Sequence, residues 1–140
     1  MQTRVKWLEK KSFVAHTGSG HTVAMDGSPD AGGRNLAGRP MEMVLVGLGG
    51  CSAFDVVMML EKSRQLPAAF EVTMEAVRAD AVPAVFESIH LVFRFEGDGL
   101  NEKALNRAVS LSMEKYCSVT KMLEPTVDIT WALALDTGSA

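Results

Sequence analysis

The chain has 140 residues, 47% of them hydrophobic, and a formal net charge of −3 from 14 basic and 17 acidic side chains. That length suits a single domain, 1–140, able to bury roughly two-thirds of its unfolded surface without metal or disulfide support. Scattered lysines and arginines under a negative balance leave nucleic acid out as an expected partner, and the apolar richness points to surface buried between subunits.

Residues 1–10 alternate charged and apolar side chains and lack the apolar stretch of a secretory signal. A reducing, cytoplasmic setting is therefore expected, where paired thiols are reactive or merely buried rather than structurally bridged. Three short alternating runs follow, 3–8, 12–16 and 21–25, separated by Glu9-Lys10-Lys11, Thr17-Gly18-Ser19-Gly20 and Asp26-Gly27-Ser28-Pro29. They predict an antiparallel meander. Residues 27–39 are rich in Gly, Ser, Pro, Asp and Ala and contain Arg34 and Arg39. This composition predicts a mobile loop of the kind that carries function.

Pro40 suits the first position of a helix over 41–60. Between 43 and 60 the only charge is Asp55, so a membrane span has to be weighed. Gly47, Gly49, Gly50 and Ser52 and the mid-helix acid favour the buried central helix of a core instead, with glycines admitting a close neighbour at a symmetry axis. No membrane association is expected. Alternation resumes at 70–81 and 85–95 around Pro83, a predicted hairpin with Phe70, Val72, Met74, Ala76 and Ile89, Leu91, Phe93, Phe95 facing inward. Asn101 caps a second helix whose inward stripe is Leu105, Val109, Ser112, Met113 and Tyr116. Pro125 ends the helical region, and 127–135 forms the last strand. The order β-β-β-α-β-β-α-β groups its elements as an α+β fold does.

Chemistry concentrates on two cysteines, Cys51 within the first helix and Cys117 at the end of the second. Only a thiolate is nucleophilic, so the neighbouring charges decide reactivity. Arg34 and Arg39 in the loop can supply positive charge to Cys51, and Lys121 to Cys117 if the helix continues past it. Asp55, four residues after Cys51 and on the same helical face, opposes that unless an arginine neutralises it. Free cysteines often serve only as packing, so inert thiols, a redox pair and a metal site all stay open on these residues. The 66-residue separation and the placement of His16, His21 and His90 match no metal-ligand spacing, so no metal and no cofactor are expected. His16 and His21 read as solvated strand ends and His90 as an exposed sheet residue.

Pro40-Met41-Glu42 through Gly49-Gly50-Cys51-Ser52-Ala53 and Asp55-Val56-Val57 resembles the central-helix motif of the OsmC family, which includes the organic hydroperoxide resistance proteins. Glu114-Lys115-Tyr116-Cys117-Ser118-Val119 is similar to its second cysteine motif, and Val5-Lys6-Trp7 with Met25-Asp26-Gly27 resembles its YhfA-like branch. The resemblance covers essentially the whole chain. It implies an OsmC-like intertwined homodimer, with antiparallel sheets wrapped around two central helices. It also implies a peroxiredoxin-like defence against oxidative stress. By carry-over, Cys51 attacks a small apolar organic hydroperoxide and Cys117 resolves the sulfenic acid to a disulfide, which an external dithiol reduces. Family peroxidases carry a glutamate directly after the proline to hold an essential arginine, whereas Met41 stands here and Glu42 is the nearest carboxylate. On a continuous helix Glu42 lies about 180° around and roughly 13 Å along the axis from Cys51. It therefore reads first as a favourable charge at the helix N-terminus. The alternative function is a non-enzymatic dimer that binds a small molecule or senses redox state with buried thiols.

Overall fold

A computed structural model describes residues 1–137 of the chain. They fall into two compact units, Met1–Val46 and the described residues from Gly47 onward.

In the first unit, β1 (Thr3–Glu9), β2 (Ser12–Thr17) and β3 (Thr22–Met25) form the expected meander, in the order β1-β2-β3. Tight turns at the first two predicted punctuation points set the register, pairing Thr3 with Thr17 and Phe13 with Met25. Every residue of β1 is exposed, including Val5, Trp7 and Leu8. The segment after β3 departs from the expected mobile loop. Asp26 is buried, and its carboxylate accepts hydrogen bonds from the backbone N–H groups of Gly27 (2.7 Å) and Leu36 (3.2 Å). The Asp26 N–H in turn donates to the Gly38 carbonyl at 3.0 Å, and Pro29–Ala31 forms a 3₁₀ turn. A side-chain acceptor satisfying buried backbone donors organises a stretch whose composition alone reads as unstructured.

Helix α1 (Pro40–Lys62) starts in this unit and continues into the second. Its buried residues include Leu48, Ser52, Val56 and Leu60, a stripe with a spacing of four. The all-round burial expected for so apolar a helix is not found in the single chain. Phe54 is 71% exposed, and Val46, Val57 and Met58 also face outward. Among the described residues, α1 alone is long and apolar enough to cross a membrane by length and composition.

The second unit continues with β4 (Ala69–Arg78), β5 (Phe86–Glu96), α2 (Glu102–Leu111), a π-helical turn over Ser112–Tyr116, α3 (Ser118–Leu123) and β6 (Asp128–Asp136). β4 and β5 pair antiparallel as the hairpin reading requires, burying Ile89, Leu91, Phe93 and Phe95. β6 then pairs parallel to β5, so this sheet is mixed, in the order β4-β5-β6. A parallel neighbour needs a long crossover, and the helical segment between the two strands provides it. Phe70 stacks on Phe95 with centroids 4.5 Å apart, and Phe93 meets Trp131 edge-on at 6.4 Å. From the helices, Leu105, Val109 and Met113 join this core. Tyr116, read as part of the same inward stripe, is 50% exposed because the π turn rotates it out of the helical period.

Candidate functional site

Cys51 and Asp55 stand four residues apart on one face of α1. Cys117 reaches the same place by a different local route. After α2 the chain widens into the π turn, in which the Cys117 N–H donates to the Ser112 carbonyl at 2.8 Å. Cys117 itself is extended (φ −69°, ψ 109°) and becomes the N-cap of α3, its Sγ accepting from the Thr120 N–H at 3.5 Å. As a result the Cys51 and Cys117 sulfurs and a carboxylate oxygen of Asp55 all lie within 4.8 Å of one another. Both thiols are free.

The two sulfurs occupy different environments. Cys117 is 0% exposed, whereas Cys51 is only half-buried. Burial pushes the Cys117 thiol above its ordinary value, the Thr120 hydrogen bonds pull the other way, and the neighbouring Cys51 thiol adds to the rise. Cys117 is thus held as a neutral thiol at neutral pH. Ser112, fully buried, donates its hydroxyl to the Ser52 carbonyl at 3.0 Å, with Asp55 Oδ2 a second acceptor at 3.4 Å. Thr120 Oγ1 approaches Met113 Sδ at 3.8 Å. Ser112 and Thr120 carry no sequence signature of a site. Their part depends on the π turn and the cap, which no periodicity announces.

The other residues singled out from sequence are placed as follows. Arg34 pairs with Glu9 (3.1 Å) and donates to Ser12 Oγ (3.2 Å) within the first unit. Arg39 and Glu42 pair with each other at 3.8 Å, and Glu42 Oε1 accepts the Arg39 backbone N–H at 2.9 Å. Glu42 therefore satisfies a donor at the start of α1, as a capping carboxylate does. Lys121 does not extend the helix of Cys117, because α2 has ended before it; its ammonium pairs with Glu124 at 3.0 Å. His90 Nδ1 is 2.7 Å from Thr130 Oγ1 on the neighbouring strand, and His21 is exposed.

A two-unit α+β body with a thiol pair joining a long helix to a short helical turn defines a recognisable class. Residues 32–132 match the family model described as OsmC-like protein. The chain belongs to the OsmC family. It is 48% identical over 130 residues to Protein YhfA of Escherichia coli strain K12, covering 93% of this chain and 94% of that protein. Among solved structures it superposes on a hypothetical protein from Aquifex aeolicus VF5 with a TM-score of 0.81, 30% identity and 97% coverage of both chains. It shares its fold with an organic hydroperoxide resistance protein, OsmC, from Legionella pneumophila, with a TM-score of 0.71, 16% identity and coverage of 96% and 97%.

Proposed function

We propose that the chain reduces organic hydroperoxides through Cys51 and Cys117, in a homodimer recharged by an external dithiol. The observation that carries this reading is the approach of the two sulfurs to within 4.8 Å. A disulfide needs about 2.05 Å, so a modest side-chain rotation and local shift close the gap. The difference in environment supports this division of roles. Cys51, the accessible thiol, meets the substrate; Cys117, buried and held neutral, waits as the resolving partner. The Cys51 thiolate attacks the outer peroxide oxygen, the O–O bond breaks, and the alkoxide leaves as an alcohol after taking a proton. The resulting sulfenic acid condenses with the Cys117 thiol, releasing water and forming the disulfide. An external dithiol then returns both cysteines to thiols and is itself oxidised. The cycle needs a reducing compartment, and the cytoplasm is the proposed place.

Several observations support a second copy. A concavity of about 470 Å³ on the outward face of α1 is lined by Gly50, Ala53, Phe54, Val57 and Met58, with Glu61 at its end. Such a face suits an apolar partner surface better than solvent. An exposed apolar stripe on α1 together with a fully exposed β1 exceeds what a solvated monomer normally carries. We propose that the family's paired central helices cover it. The family match runs from 32 to 132, across the boundary of the two units, and supports one domain over 1–140. Arg34 and Arg39 remain the proposed cations for Cys51, with Glu42 holding Arg39 in the place that the family gives to a glutamate one residue earlier.

Peroxide consumption by the reduced protein tests the reading. Cys51→Ser is expected to lose turnover of cumene hydroperoxide by at least a hundredfold. Cys117→Ser is expected to consume one equivalent and stop at the sulfenic acid. Replacing Arg39 or Arg34 by Ala separates the two cations by which one slows the first step. Consumption by Cys51→Ser at the parental rate would end the proposal.

A further inference from the structure

The thiol pair has a third neighbour that the hydroperoxide chemistry does not use. We propose that Cys51, Asp55 and Cys117 form a binding site for a thiophilic divalent cation of the zinc type, whose occupancy shields both thiols. Three potential ligand atoms, two sulfurs and a carboxylate oxygen, lie within 4.8 Å of one another. Around a tetrahedral ion with Zn–S near 2.3 Å and Zn–O near 2.1 Å, such atoms sit roughly 3.5–3.8 Å apart. No pair therefore has to contract by more than about 1 Å to close on a metal.

The arrangement of supports favours this. Cys51 and Asp55 stand at i and i+4 on one helical turn, the spacing by which a helix offers two ligands to a single ion. Cys117 comes from another element, so the third ligand is fixed independently of α1. The Ser112 hydroxyl at 3.4 Å from Asp55 Oδ2 and the Thr120 N–H at 3.5 Å from Cys117 Sγ are the outer partners that orient ligating groups. Two thiolates select a borderline-soft cation over magnesium or calcium, and three protein ligands leave a fourth position for water. Binding sends two thiol protons to solvent and forms two metal–sulfur bonds and one metal–oxygen bond; no electron moves. The inference needs only this geometry and stands apart from the hydroperoxide reading.

Equilibrium dialysis of the full, reduced chain against zinc is expected to retain one ion per chain. Cobalt is expected to give the sulfur-to-metal charge-transfer band of thiolate ligation. Asp55→Asn keeps both thiols and is expected to weaken binding at least tenfold, as loss of a coordinating group does. Cys51→Ser is expected to weaken it at least a hundredfold and to diminish the charge-transfer band. Zinc should also slow alkylation of Cys51, the accessible thiol, by iodoacetamide, a readout blind to peroxide chemistry, and chelation should restore the rate. The proposal is overturned if the reduced parent retains no zinc, if Asp55→Asn or Cys51→Ser binds as tightly as the parent, or if bound zinc leaves alkylation unchanged. Should Cys51→Ser fail to fold, alkylation of the parent and dialysis of Asp55→Asn decide.

Discussion

Single residues decide both the loop and the site. Asp26 shows how one carboxylate can organise a glycine-rich segment. Burial alone pushes its carboxyl up, but hydrogen bonds from Gly27, Leu36, Arg34 and Ser12 outweigh that and hold it below the ordinary carboxylate value. A depressed folded pKa stabilises the fold above the unfolded value, near 3.9, and that contribution is lost as pH falls through the lower, folded value. Asp26→Asn puts an amide where the Leu36 N–H needs an acceptor, so it should melt below the parent at pH 7. The gap between their melting temperatures should narrow below about pH 4, and a gap constant with pH would refute the role. Gly33 makes a second constraint in the same segment. A Cβ built there runs into the backbone of Gly27, so Gly33→Ala should cost roughly 1–3 kcal/mol in denaturant unfolding. The sequence showed the acid and the glycines but not their contacts, which depend on residues ten apart meeting in space. Cys51, Cys117 and the i, i+4 placement of Asp55 were all visible in the sequence. What the fold added is the meeting of all three within 4.8 Å and the Ser112 hydroxyl 3.4 Å from Asp55 Oδ2, neither of which reading along the helix supplies.

At the level of elements, the strands and helices followed their periodicity closely, because alternation and capping are local properties. Asn101 caps α2 as its residue type predicts, its side chain accepting from the Ala104 N–H at 3.2 Å. The buried stripe of α1 is the test of packing here. Leu60, fully buried, should cost about 2–5 kcal/mol when replaced by Ala, with a lower denaturant midpoint and an unchanged slope. Two features escaped the sequence reading for physical reasons. The π turn inserts one extra residue into an otherwise regular helical pattern, and nothing in the 3.6-residue period marks where it falls. That turn ends α2 ahead of Cys117, makes the cysteine a cap, and leaves Lys121 to Glu124. The parallel pairing of β6 with β5 also depends on a crossover direction that strand alternation does not encode.

On the scale of the molecule, an apolar helix with one buried stripe is the main feature requiring an explanation. Composition pointed to subunit contacts, and Phe54, Val57 and Met58 are exposed apolar residues that the proposed dimer would cover. Phe54→Glu should convert the proposed dimer to a monomer in light scattering while leaving the melt of the second unit cooperative. A parent that is already monomeric would remove the dimer from the account. The central claim is that the two thiols form one redox unit. The most direct measurement adds a single equivalent of cumene hydroperoxide to the fully reduced protein without air, counts free thiols, and maps cross-linked peptides. The account predicts that both thiols disappear together and that a peptide joining Cys51 to Cys117 appears within a chain. Oxidation of Cys51 with Cys117 left free, or a hydroperoxide that stays intact, would contradict it.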